Sequence, residues 1–158
     1  LRVVRHRLYC PVVWMTRNRE RLIDAGLATF LCGFLRDVAP QERAHILEIG
    51  MVATHVHLLV RVDPTTNISR LLQRLKGGSS AVAGKERHST TGQWLRWSKG
   101  YSMQSVSPRA LEAVRQYLRQ QPDHHAHEAI TDWYGDSPEY ELAGQEQWRS
   151  PDGKVIGD

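Results

Sequence analysis

The sequence predicts an α+β fold in which helices sandwich an antiparallel sheet. Two observations carry this. Residues 44–52 (AHILEIGMV) and 55–62 (HVHLLVRV) read as strands with almost nothing between them, so they should pair as an antiparallel hairpin. Segments of strand and helix period then follow in the order β–α–β–β–α–β–α, the order of the ferredoxin-like plan.

Taken in order, HRLYCPVVWMT (6–16) is rich in β-branched and aromatic residues and reads as a strand, with Pro11 implying an edge or a bulge. After Asn18, read as an N-cap, Leu22, Ile23, Leu27, Phe30, Leu31, Phe34 and Leu35 recur at helical spacing until Pro40 stops them. The hairpin follows. Residues 67–80 (NISRLLQRLKGGSS) begin as a helix with Ile68, Leu71, Leu72 and Leu75 on one side, and Gly77–Gly78 should loosen or end it. The second half of 93–107 alternates enough to be a strand. Ser107 and Pro108 then form a helix start, and that helix should run to about Pro122.

The chain of 158 residues is expected to form one domain over 1–127, followed by an acidic tail over 128–158 with one docked segment around Trp133 and Tyr134. The charge is divided accordingly. Residues 1–119 hold 19 Lys/Arg and 8 Asp/Glu, whereas residues 120–158 hold 2 and 9. So basic a body favours a polyanionic partner, and the tail could act as a solubility extension or cover the basic surface. No apolar run is long enough to span a bilayer, and LRVVRHRLYC has no signal-peptide core. Cys10 and Cys32 suit neither a disulfide framework nor a zinc site, so a cytoplasmic protein with reduced thiols is expected.

Chemistry is concentrated in two places. On the second hairpin strand, His55, His57, Leu59 and Arg61 share one face, while Val56, Leu58, Val60 and Val62 form an apolar face for the core. Two imidazoles at i and i+2 can converge on one divalent ion, or can be unrelated residues of a half-exposed strand. With a turn at Ala53–Thr54, His57 would lie opposite Gly50, which leaves room. On the last helix, Tyr117 and Gln121 stand i, i+4 on one face. They are either an edge of the apolar stripe or a phenol aimed at a phosphate, with an amide oxygen completing a metal's ligands. His6, His45, His88, His124, His125 and His127 are read as surface or tail residues, with HHAH (124–127) able to bind stray metal.

Taken together, HRLYCPVVWMTRNR, HVHLLV, LKGGSS, WSKGYSMQSVS and VRQYLRQQ resemble, in order and spacing over residues 6–125, the single-tyrosine HUH transposases of small bacterial insertion sequences. The resemblance implies an HUH (His–hydrophobic–His) fold and a divalent metal, Mg2+ or Mn2+, held by His55, His57 and Gln121. It implies Tyr117 as the nucleophile, attacking single-stranded DNA hairpin ends to form a 5′-phosphotyrosine. It also implies a homodimer with active sites shared between protomers. On that reading Arg70, Arg74, Lys76, Lys85, Arg87, Arg96 and Lys99 contact phosphates, and Trp94, Trp97 and Tyr101 stack on bases. The chain departs from the family in two ways: Thr54 stands where members commonly carry an acidic residue before the first histidine, and the tail is longer than in minimal members. The alternatives are a domesticated hairpin-binding relative without mobility, an HUH replication initiator or relaxase, and an RNA-binding ferredoxin-like module.

Overall fold

The computed structural model describes residues 8–133 and Gly135. Along the chain run β1 (Leu8–Met15), α1 (Ala25–Val38), β2 (Ala44–Val52), β3 (His55–Val62), α2 (Ile68–Gln73), α3 (Ser79–Glu86), β4 (Ser102–Met103), α4 (Leu111–Arg119) and α5 (Gln121–His124). The strands form one antiparallel sheet in the spatial order β2-β3-β1-β4, the ferredoxin-like arrangement. The β2–β3 turn falls at Ala53–Thr54, with Val52 opposite His55 and Gly50 opposite His57, the register the sequence suggested.

Period-2 alternation gives the sheet two unlike faces. One is wholly apolar: Val12 and Trp14 of β1, Met51 of β2 and Val56, Leu58 and Val60 of β3 pack under Leu27, Leu31 and Leu35 of α1 and Leu71, Leu72 and Leu75 beyond β3. Each large aliphatic chain buried here contributes about 1.5–3 kcal/mol, so this face holds most of the stability. The other face carries a smaller cluster of Tyr9, Leu47, Leu59, Leu111 and Leu118, with Val106 and Val114 against it. Leu47 reaches that cluster through a register irregularity between Ile46 and Glu48. α4 and the start of α5 cover this face beside β2 and β3, and they leave Pro11, Val13 and Met15 of β1 half-buried beside the histidines.

Several local expectations are corrected. Asn18 is not the cap of α1; its φ is 55° in a short 3-10 turn over Arg17–Arg19. The cap is Asp24, whose Oδ1 accepts from Leu27 N at 3.0 Å, so Leu22 and Ile23 belong to the extended lead-in rather than to the helix. Pro11 lies on an inner strand. Its carbonyl accepts from Gln104 N, so its missing N–H faces the two-residue β4 rather than the long β3 ladder. Of the two outcomes expected at Gly77 and Gly78, the basic helix loosens rather than ends. The chain widens into a π-turn over Arg74–Gly78 and continues as α3. Ser107 makes no side-chain cap, and Pro108–Ala110 is a 3-10 turn leading into α4. Trp133 packs against the main core beside buried Ile130, whereas Tyr134 and residues 136–158, most of the expected tail, lie outside the described residues.

Candidate active site

The site forms where the tip of the β2–β3 hairpin meets the C-terminal end of α4. β3 turns both histidines to the α4 side of the sheet, with ring centroids 5.0 Å apart. Gly50 admits the helix: a Cβ there would lie 2.6 Å from the Leu118 carbonyl oxygen and 3.2 Å from Gln121 Cβ. No side chain larger than hydrogen fits without moving α4. Glu48, two residues before Gly50, holds the helix from the same strand. Its buried carboxylate accepts from Arg115 Nε at 2.9 Å and from Arg119 Nη2 at 2.8 Å. An acid inside an apolar strand is a visible signal in the sequence, but it was not singled out there.

With α4 seated, fully buried Gln121 lies against buried His55, Nε2 to Nε2 at 3.1 Å. Tyr117, one turn earlier, is 45 % exposed and sits with its ring centroid 6.3 Å from that of His57. The side chain is thus partly open to solvent while its ring borders the histidine pair. His55, His57, Tyr117 and Gln121 line the same end of the sheet.

Electrostatics keep the histidines neutral. Burial lowers the pKa of His57 to about 4, and the repulsion that His55 and His125 would exert on a charged ring pushes it the same way. Burial, then His125 and Arg19, lower that of His55, and Glu128 opposes them. Neutral imidazole is the metal-binding form. Gln121 Oε1 is buried without a hydrogen-bond partner among the described residues, an arrangement that costs free energy unless something binds it. Turning the amide over would bring that oxygen to His55 Nε2, where either a ring proton or a cation reconciles the two. No group of three His, Cys, Asp or Glu side chains among the described residues could hold a metal ion, so a metal at this site depends on the glutamine. Two neutral imidazoles and an unsatisfied amide oxygen suit a divalent ion.

Two histidines read as surface or tail residues belong here. The His125 ring lies 5.1 Å from that of His55 at 90°, and exposed His124 stacks on Tyr117 at 4.7 Å. The residues expected to contact DNA divide into two groups. Lys76 Nζ donates to the Ser98 and Gly100 carbonyls and braces that loop, rather than standing free for a phosphate. Trp97 donates to Ser79 Oγ at 3.0 Å and packs edge-on against Trp14, so it belongs to the core, not to a stacking platform. Arg70 and Arg74 share Glu42, although Arg70 keeps much of its surface in water. Trp94 is 67 % exposed with the Arg96 guanidinium 5.7 Å from its ring, and Lys99 and Tyr101 are exposed on the same loop. Lys85 and Arg87 are exposed at the end of α3. The loop is tied to the site's end of the sheet: Arg17 N donates to the Arg96 carbonyl, and Thr16 N donates to the Thr54 carbonyl at the hairpin tip.

Residues 4–121 match the model of the family described as "Transposase IS200 like". The chain belongs to that family. This IS200-like transposase is 25 % identical over 121 residues to the ISDra2 transposase TnpA of Deinococcus radiodurans, covering 75 % of this chain and 86 % of the relative. Its fold matches a solved REP-associated tyrosine transposase bound to a REP hairpin, with TM-score 0.64 at 13 % identity, over 100 % of this chain and 93 % of that one. It also matches a D. radiodurans crystal structure assigned to a transposase, with TM-score 0.57 at 24 % identity over 76 % and 95 % of the two chains. This IS200-like transposase is therefore a DNA-binding enzyme of insertion-sequence transposition, and its chemistry is DNA cleavage and strand transfer. No helix among the described residues is long and apolar enough to cross a membrane.

Proposed function

We propose that this transposase cuts and rejoins single-stranded DNA at hairpin-bearing element ends through a covalent 5′-phosphotyrosine at Tyr117. The observation that carries the reading is the buried contact of Gln121 with His55, one helical turn from an exposed tyrosine. The amide oxygen is buried there without a partner, an arrangement that suits a bound cation. His55, His57 and Gln121 would hold Mg2+ or Mn2+, which when bound supplies electrophilic polarisation of the scissile phosphate.

Tyr117 Oη attacks phosphorus, the phosphorus–O3′ bond breaks, and the leaving oxygen takes up a proton as a free 3′-OH. The phosphodiester energy is kept in the tyrosine linkage, so a 3′-OH on another end reverses the step and joins strands without ATP. Half-buried Val13 and Met15 beside the histidines leave room for a strand. Trp94, Tyr101, Arg96 and Lys99 supply exposed stacking and phosphate-binding groups at the same end of the sheet. The family resemblance implies a homodimer, which light scattering tests directly. The same resemblance implies that the active sites are shared between protomers.

The reading is tested by incubating the protein with single-stranded hairpin oligonucleotides and Mn2+ and following strand cleavage and rejoining on denaturing gels. Cleavage of single strands that is lost in EDTA and in Tyr117→Phe is expected. Equal cleavage by Tyr117→Phe would sink it, and hairpin binding without cleavage would favour the domesticated binder.

A further inference from the structure

Thr54 stands directly before His55, and the structure shows a carboxylate reaching it from 74 residues away. Thr54 Oγ1 donates to Glu128 Oε1 at 3.1 Å and lies 2.9 Å from His55 Nδ1. Both Thr54 and His55 are buried. The other Glu128 oxygen faces His125 Nδ1 at 3.4 Å. Glu128 is held in place by main-chain contacts: Ala53 N donates to the Glu128 carbonyl at 2.8 Å, and Arg21 donates to the carbonyls of His127 and Ala129 on either side.

A hydroxyl has one proton to give. An ionised carboxylate only accepts, so Thr54 gives its proton to Glu128 and can only accept from His55. Nδ1 of His55 must then carry the ring proton, which leaves Nε2 bare and facing Gln121. Without the carboxylate, the hydroxyl is free to turn and donate to Nδ1. The ring proton then sits on Nε2, where it donates to Gln121 Oε1 once the amide turns over. That second network gives the amide oxygen a donor and closes the site to a cation.

We propose that Glu128, acting through Thr54, is a positioning residue that selects the metal-ready tautomer of His55. It replaces in space the acidic residue that is absent from position 54. The inference rests on the metal site proposed above and extends it to the segment beyond the tyrosine helix.

Two measurements test it. In metal-free protein, 15N NMR of labelled histidines, with His55 assigned by loss of its signals in His55→Gln, should show protonated Nδ1 in the parent and protonated Nε2 in Glu128→Ala and in Thr54→Val. Binding of Mn2+, followed by EPR with His55→Ala subtracting stray sites such as HHAH, should weaken about 10- to 100-fold in Glu128→Ala. Glu128→Gln, which keeps an acceptor oxygen, should fall between. Adding Thr54→Asp to Glu128→Ala should restore both the Nδ1–H tautomer and the affinity, which a merely structural role for Glu128 would not do. Parental tautomer and affinity in Glu128→Ala would overturn the relay. Identical Mn2+ binding by the parent and His55→Ala would instead overturn the metal site, and the tautomer measurement would still decide the relay.

Discussion

The two faces of the sheet follow different rules. The face under α1 and α2 is continuous hydrocarbon, and each strand residue that points into it is apolar. The α4 face carries a smaller apolar cluster, Tyr9, Leu47, Leu59, Leu111 and Leu118, with buried Val52 opposite His55. Beside them it carries a carboxylate between two guanidiniums, two neutral imidazoles and an amide with an unsatisfied oxygen. The first face supplies cohesion. The second spends part of that cohesion on keeping polar groups desolvated and aimed. Substitutions on the two faces should therefore separate activity from stability.

The largest separation is expected at Tyr117. Its side chain is exposed, so Tyr117→Phe should leave Tm within about a degree while removing strand cleavage by roughly 10⁴-fold or more. Leu31→Ala on the opposite face should do the reverse. It leaves a cavity in a fully buried position and should cost about 2–5 kcal/mol in urea unfolding, with the folded fraction keeping its activity. Gly50→Ala lies between these extremes. The new methyl group meets the Leu118 carbonyl and pushes α4 outward, at a cost of about 1–3 kcal/mol. Loss of Mn2+ affinity by the correctly folded variant would show that the cost falls on the site.

The basic loop sharpens the contrast. Trp94→Ala should weaken hairpin binding by about 1–3 kcal/mol with unchanged Tm. Trp97→Ala, three residues on and packed against Trp14, should lower Tm instead.

The smallest effect is the dependence of stability on pH. His57 titrates near 4 in the fold against 6.5 in the unfolded chain. Between these values the unfolded chain holds a proton that the folded one lacks, so stability falls as pH drops from 6.5 to 4. Metal-free protein should lose several degrees of Tm over that window, and His57→Gln should lose fewer.

The same division explains what could be read from the sequence. Strands β2 and β3, their two-residue turn and the pairing of Gly50 with His57 were legible because period-2 alternation fixes both face and register. Tyr117 and Gln121 were legible as an i, i+4 pair, but the single helix expected to run to Pro122 ends at Arg119, and Gln121 opens α5 with Pro122 in its first turn. Glu128 and His125 were not legible, because HHAHEAI has no period and their contacts with Thr54 and His55 span about 70 residues. Nor could Trp94 be told from Trp97, or Lys76 from Lys99, since an irregular segment has no repeat to say which side chains turn inward. Asn18 is a residue type that caps helices, but three charged residues follow it; only Asp24 has its oxygen over the first helical N–H groups.

The most direct test of the central claim is to locate the covalent bond. A single-stranded hairpin substrate, Mn2+ and the protein would be quenched in SDS, the adduct digested, and the modified peptide sequenced by mass spectrometry. The account predicts a 5′-phosphonucleotide on Tyr117 and no adduct in EDTA. A nucleotide on any other residue, or an adduct of equal yield in Tyr117→Phe, would contradict it.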